Sequence, residues 1–228
     1  MEVINNNVHS VYYDIATHFD ESRYAFWKAV REFLDTLPPY SLVADVGCGN
    51  GKYSRYRSDL VFFCNDVCVP LLRKITNPHH HVEMHSFTGV LQADGASLPY
   101  RNNSMDAAIS IAVVHHVPTY EGRLNFLRNI LQSLRPGGRF VFTVWALEQP
   151  HKFNWVNITD ANGNNDFLIP WKDKYSNKTY QRFYHLFSES EIQDVLSDLE
   201  SHNDTTHTKL TSSYKFEMNN WVVEISLT

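Results

Sequence analysis

Nearly continuous apolar runs alternate along the chain with stretches in which apolar residues recur every three or four positions. The continuous runs are Leu42 to Val46, Val61 to Asn65, Gly89 to Ala93, Ala107 to Val114 and Arg139 to Trp145. Strands of a parallel sheet read this way because both of their faces are covered. Two helices, 8–19 and 23–36, are predicted before the first strand, the second stopping short of Pro38-Pro39 because the position before a proline disfavours helix. A further helix over Arg123 to Leu134 ends at Pro136-Gly137-Gly138. Ser188-Glu189-Ser190-Glu191 has the spacing of a capping box and opens a helix to about Leu199. Two last strands, near Leu210 to Phe216 and Trp221 to Leu227, form a hairpin through Met218-Asn219-Asn220. The pattern predicts an α/β fold, a seven-stranded and mostly parallel sheet with helices on both faces.

Residues 146–182 break the alternation, being rich in Asn, Lys, Trp and Pro with little periodicity. With 228 residues, of which 43% are hydrophobic, the chain is long enough to bury one core. A single domain over 1–228 is therefore expected, with 1–40 as a helical lid and 146–182 as an insertion near the site. Cys48, Cys64 and Cys68 leave one thiol over in any pairing and lack metal-ligand spacing, so they read as free thiols of a reducing compartment. The N-terminal MEVINNNVHS has neither a basic start nor an apolar stretch, and the expected location is the cytoplasm, with the nucleus as the other possibility.

The formal charge of -5 counts against binding nucleic acid by bulk electrostatics, but it is unevenly distributed. Residues 51–182 hold 15 Lys/Arg against 10 Asp/Glu, whereas both flanking segments are acidic. A basic middle suits a polyanion if the fold gathers those residues on one face.

Chemistry concentrates where strands end. Asp45-Val-Gly-Cys-Gly-Asn-Gly51 follows the first strand directly, and glycine at 47 and 49 allows a tight turn with close backbone approach to a ligand. The third glycine, Gly51, falls one position too early for the dinucleotide fingerprint, and Lys52 stands where that glycine belongs, which counts against NAD or flavin. Asp66 ends the second strand 19 residues after Gly47, placed to accept from two ribose hydroxyls. Asp94 follows the third strand and is placed to accept from an exocyclic amine such as adenine N6. Any one of these acids alone reads as a helix cap; together they read as a nucleotide pocket.

With these motifs the chain resembles the class I (Rossmann-like) S-adenosylmethionine-dependent methyltransferases, and more narrowly the eukaryotic tRNA wobble-uridine carboxymethyl methyltransferases. The narrower resemblance rests on VYYDIATHFDESRY at 11–24, DVGCGNGKY at 45–53, SIAVVHH at 110–116, WALEQ at 145–149, IPW at 169–171 and RFYHLF at 182–187. It implies S-adenosylmethionine as cofactor, tRNA as partner, and formation of the methyl ester of 5-carboxymethyluridine or its 2-thio form. It also implies a small zinc-binding activator subunit held at a sheet edge, where Val90 and Leu91 are apolar. Between IPW and RFYHLF this chain has only Lys172 to Gln181, shorter than the usual basic linker of the family. The alternatives are a carboxyl methyltransferase acting on a small acid and an inactive homologue that binds tRNA or cofactor.

A carboxylate nucleophile is already ionised at pH 7, ordinary carboxyl groups having a pKa near ~4, so no general base is required. His115 and His116 are then positioning groups that donate hydrogen bonds to the substrate. If the strand runs through the pair only one reaches the pocket, and His116, nearer the strand end, is the one expected. The resemblance further implies that Arg23 and Tyr24 belong to a lid, that Tyr12 and His18 close the methionine end of the cofactor, and that Trp145, Glu148, Arg182, Tyr184 and His185 meet the flipped nucleotide. His81 and His85 stand i, i+4, but Pro78 and the want of a nearby cysteine or paired acid make the His79-His80-His81 stretch a polar loop, and no metal is assigned.

Overall fold

Both faces of the first strand are buried, and the fold is built outward from it. In a computed structural model that describes residues 5–21, 25–76, 88–150, 154–159, 163, 165–203 and 209–228, β1 (Leu42–Val46) lies between β2 (Val61–Asp66) and β4 (Met105–Ile111), parallel to both. β3 (Thr88–Gln92) pairs parallel with β2, and β5 (Leu134–Trp145) pairs parallel with β4. β10 (Asn220–Leu227) returns antiparallel beside β5 and carries β9 (Leu210–Glu217) at the edge, giving the order β3-β2-β1-β4-β5-β10-β9. This is the seven-stranded, mostly parallel sheet predicted.

Successive residues of β1 enter opposite cores, as strand geometry requires. Val43 joins Val30, Phe33 and Leu34 of α2 (Lys28–Asp35) and Leu72 and Ile75 of α3 (Val69–Ile75). Ala44 joins Leu124 and Leu127 of α4 (Tyr120–Ser133) and Ile192 and Val195 of α5 (Glu189–Asn203). At eight residues α2 is too short to persist on propensity, and Trp27 at its N-terminus provides no side-chain cap. Each fully buried Leu, Val or Phe contributes about 1.5–3 kcal/mol relative to exposure, so its apolar stripe holds it in place.

Several boundaries differ from the expectation for local reasons. A π-helical turn over Asn5–His9 precedes α1 (Ser10–Glu21). α2 begins at Lys28 rather than at 23. β4 stops at Ile111 because Ala112 takes a left-handed backbone (φ 61°), and Val114–His116 form a 3-10 turn rather than more strand. Only half of the capping box forms. The amide of Glu191 donates to Ser188 Oγ at 3.2 Å, whereas the Glu191 carboxylate turns to Arg123 and His185. The hairpin between β9 and β10 turns on Met218 and Asn219, both at positive φ, as a two-residue turn of that hand demands.

Residues 146–182, in which little periodicity was read, hold most of a second sheet. β6 (Val156–Asn157), β7 (Asp166–Lys172) and β8 (Thr179–His185) pair antiparallel in that order. Phe167 and Ile169 alternate inward on β7 and meet Tyr184 and Leu186, with Trp145, Leu147 and Trp155 against them. The sheet is tied to the end of β5 by Phe187 N–H donating to the Trp145 carbonyl (2.9 Å) and Leu147 N–H to the Phe187 carbonyl (2.9 Å). No described helix is long and apolar enough to cross a membrane.

Candidate active site

The turn after β1 is wound on glycine. Gly47 adopts φ +75°, and a Cβ there would stand 2.5 Å from Val113 Cγ2, so neither the conformation nor the space admits a side chain. The amides of Gly47 and Cys48 donate to the Asn65 carbonyl at 2.8 and 3.0 Å, which locks the turn to the end of β2. Asp66 completes the lock. Its Oδ2 accepts from Gly49 N–H and its Oδ1 from Cys68 N–H, both at 2.8 Å. A carboxylate offers about four lone-pair sites, so two remain for hydroxyl donors of a ligand. Burial pushes the Asp66 pKa up, against the pull of the Cys68, Gly49 and Val67 amides.

Asp45 is 2% exposed, and its Oδ2 has no hydrogen-bond partner. Burial, reinforced by the neighbouring charge of Asp66, pushes its pKa up to about 8. Asp94 lies two residues beyond the end of β3, where its Oδ1 accepts from Ala96 N–H (2.9 Å) and shapes the 94–97 turn. Gly95 lets that turn lie against the Phe126 ring, whose Cε2 stands 2.0 Å from where a Cβ would be.

These groups line one cavity of about 790 Å³ at the carboxyl ends of the parallel strands. Gly47, Gly49, Asp45, Asp66 and Asp94 line it together with Tyr12, His116, Trp145 and Tyr184. Sequence reasoning missed two parts of the lining. Val8 and His9 come from the π-helical turn, which no pattern announced. Asn125, Arg128, Asn129 and Gln132 recur at i, i+3, i+4 and i+7, a polar stripe on α4 whose helical spacing is the signal for it in the sequence.

The two histidines diverge because they sit on a turn. His115 is 1% exposed, outside the cavity lining, stacked on Tyr184 with centroids 4.8 Å apart and accepting from Trp145 N–H at Nδ1 (3.3 Å). His116 lines the cavity, with Nδ1 2.8 Å from the Phe183 carbonyl and Nε2 2.9 Å from the Tyr12 hydroxyl. A carbonyl only accepts, so Nδ1 carries the hydrogen, and in the neutral form of the ring Nε2 accepts from Tyr12. This corrects the expectation that neutral His116 donates to a substrate.

The remaining expected residues fall in different places. Trp145 packs on Tyr184 at 4.6 Å and faces the cavity, whereas Glu148 is exposed and outside its lining. Arg182 is 4% exposed and lies behind Tyr184, donating to its hydroxyl at 2.8 Å. His185 does not reach the cavity. It is 2% exposed and clamped between Asp166 (2.7 Å) and Glu191 (2.8 Å). Burial opposes its charged form, but the hydrogen bonds it donates to both carboxylates outweigh that and raise its pKa. Arg23, Tyr24, His79-His80-His81 and His85 lie outside the described residues. Among the described residues no group of three His, Cys, Asp or Glu is placed to hold a metal.

Helix α1 ties the glycine turn to the second sheet. Asp20 accepts from Asn50 of the glycine turn (2.7 Å), the Cys68 thiol donates to the Tyr12 carbonyl (3.5 Å), and His18 meets Asp173 after β7 (3.2 Å). The His18 ring lies against Trp171, 5.0 Å between centroids, rather than in the cavity lining.

Residues 44–142 match the family described as "Methyltransferase domain". Over 214 residues the chain is 34% identical to the tRNA (carboxymethyluridine(34)-5-O)-methyltransferase of Schizosaccharomyces pombe, covering 86% of this chain and 89% of that protein. The chain belongs to the tRNA carboxymethyluridine methyltransferase family. It is also 39% identical over 177 residues to the protein of the same name from Saccharomyces cerevisiae, 75% of this chain and 60% of the yeast protein. The fold of this family member is that of the class I methyltransferases: a SAM-dependent methyltransferase from Methanosarcina mazei superposes with a TM-score of 0.66 at 16% identity, over 89% of this chain and 98% of that one.

Proposed function

We propose that this family member uses S-adenosylmethionine to methylate the carboxylate of 5-carboxymethyluridine, or its 2-thio form, at the wobble position of tRNA. The observation that carries the reading is that one cavity is lined both by the glycines and aspartates suited to a nucleoside and by Tyr12, His116, Trp145 and Tyr184. Its 790 Å³ lies toward the upper end of small-molecule sites, about 300–1,000 Å³, leaving room for a cofactor and an extruded base together.

The residues fit such a cofactor. Gly47 and Gly49 leave backbone where a side chain would intrude, Asp66 keeps lone pairs for ribose hydroxyls, and the unpartnered Oδ2 of Asp45 suits an ammonium or other donor. When bound, S-adenosylmethionine supplies an electrophilic sulfonium methyl. An ionised carboxylate would accept that methyl group with no proton removed first. The protein therefore has to aim rather than deprotonate. Trp145, half-buried, is the aromatic side chain available to a base, whereas the Tyr184 ring is covered by His115 and Trp145 and backs the chamber. Helix α1 acts as the lid, and Trp145 and Tyr184, where β5 meets the second sheet, stand on the substrate side.

A small zinc-binding activator is the proposed partner. β3 is the terminal strand of the sheet and pairs only with β2 among the described residues, with Leu91 39% exposed. An uncovered edge is a pairing liability, which a partner strand or loop removes. Three free thiols suit the reducing cytoplasm. The deciding assay mixes the protein with methyl-labelled cofactor and tRNA lacking the modification, digests to nucleosides and looks for the labelled methyl ester. Label in a base carbon, or none in tRNA, refutes the reading.

A further inference from the structure

Arg182 is a buried cation without a counter-ion. It is 4% exposed, its Nε has no hydrogen-bond partner, and among the described residues no carboxylate pairs with it. Arg123, buried to 2%, is by contrast matched by Glu191 at 3.0 Å. An unneutralised guanidinium away from water is strongly unfavourable, and the rings of Trp171 (4.7 Å) and Tyr184 (5.1 Å) offset only part of that.

The hydrogen bonds around it run in one direction. The Phe183 carbonyl places the hydrogen of His116 on Nδ1, so Nε2 accepts from Tyr12. With its proton committed, the Tyr12 oxygen accepts from Tyr184 and from the Arg182 side chain, and Tyr184 in turn accepts from Arg182 Nη1. The weak link is Tyr12 to Tyr184, 3.3 Å, long for two hydroxyls whose bonds ordinarily fall at about 2.5–3.0 Å. Both oxygens belong to residues that line the cavity; Arg182 stands behind them.

We infer that Arg182 is the counter-charge for an anionic substrate group, acting through the Tyr184 hydroxyl, which leaves Tyr12 to donate to the incoming carboxylate. This rests on the carboxylate substrate proposed above. Arg182 is a positioning residue that polarises the Tyr184 O–H without touching substrate, and the relay makes the chamber select an acid over its neutral amide. A direct guanidinium clamp would hold the attacking oxygens; a hydroxyl in between orients one and leaves the other exposed.

The test measures binding of the full chain, with its activator where one co-purifies and with S-adenosylhomocysteine present, to two anticodon stem-loop RNAs. One carries 5-carboxymethyluridine at the wobble position and the other the neutral 5-carbamoylmethyluridine. The wild type prefers the acid; Arg182→Gln loses that preference by about 10- to 100-fold while its affinity for the amide RNA and for S-adenosylhomocysteine stays put, and Arg182→Lys restores part of it. A merely structural arginine would shift both RNAs and the cofactor together. Where Arg182→Gln does not fold, Tyr184→Phe severs the same relay with the ring retained, and the same loss is expected. An acid preference that survives either folded variant overturns the inference. A wild type that methylates neither RNA nor prefers the acid overturns the substrate reading instead.

Discussion

His116 Nδ1 stands 2.8 Å from the carbonyl oxygen of Phe183, and that contact settles what the imidazole does. In its neutral form the ring has one N–H, held by an acceptor on β8, and the other nitrogen receives the Tyr12 hydroxyl at 2.9 Å. His116 thus fixes Tyr12 and the register of β8 against the turn after β4, and it is not poised to take a proton from substrate. With cofactor saturating, kcat should stay flat between pH 6 and 8, since a general base would leave a limb near ~6.5. His116→Ala should lower kcat by about 100-fold through misplacement, with cofactor affinity unchanged. A wild-type limb that disappears in this variant would restore the base.

Gly47 and Val113 make a second checkable pair. Alanine at 47 meets two obstacles, a left-handed backbone at φ +75° and Val113 Cγ2 at 2.5 Å. Gly47→Ala should destabilise the protein by roughly 1–3 kcal/mol in chemical denaturation and weaken cofactor binding. Val113→Ala in the same chain removes the collision but not the backbone strain, so the double variant should recover part of the stability and little of the binding. A strictly additive double-mutant cycle would show that the contact carries none of the effect.

How much of this was legible varies with the kind of signal. β1, the glycine turn and Asp66 could be read because a buried strand, a turn residue and an acid at fixed spacing each have a local cause. The 3-10 turn at Val114–His116 could not be: Ala112 at φ 61° is a conformation that alanine seldom adopts, and only the packing around it imposes it. β7 hid for another reason. Its inward alternation is Phe167 and Ile169 alone, with Pro170 directly after, and a proline in a short run argues against a strand unless its missing N–H falls at an unpaired position. Arg182 and His185, three residues apart, were assigned one role; their partners, hydroxyls for the first and two carboxylates for the second, separate them.

Asp45 links ligand binding to stability. Its pKa in the folded protein, pushed up to about 8, stands above the value of an unfolded carboxyl, so its contribution is fully favourable only below about pH 4 and is lost as pH rises through 8. The ligand-free protein should therefore lose stability across that window. Asp45→Asn should flatten the loss and raise Tm at pH 7.5, about 2–4 °C for each kcal/mol of burial relieved, while weakening cofactor binding in calorimetry. An Asn variant that is less stable than wild type at pH 7.5 would show that the carboxylate is compensated in the folded state.

The charged chain Arg123, Glu191, His185 and Asp166 sets the last expectation, because it joins α4, α5 and the second sheet beneath the His116 turn. Arg123 donates to the Val117 and Pro118 carbonyls at 3.1 and 3.2 Å and to Glu191 at 3.0 Å. Removing one member of a buried pair leaves the other uncompensated, so Glu191→Gln should be destabilising by about 3–5 kcal/mol, far more than an exposed ion pair is worth. His185 adds a pH dependence of defined sign. Its pKa is raised in the folded state, so its stabilisation is complete below the unfolded value near ~6.5 and is lost as pH climbs through the folded one. Tm measured on the Asp45→Asn background, where the Asp45 titration is gone, should still fall as pH rises above about 6.5, and adding His185→Gln should lessen that fall. If the slope persists undiminished without His185, the clamp on the second sheet is not an ionic one.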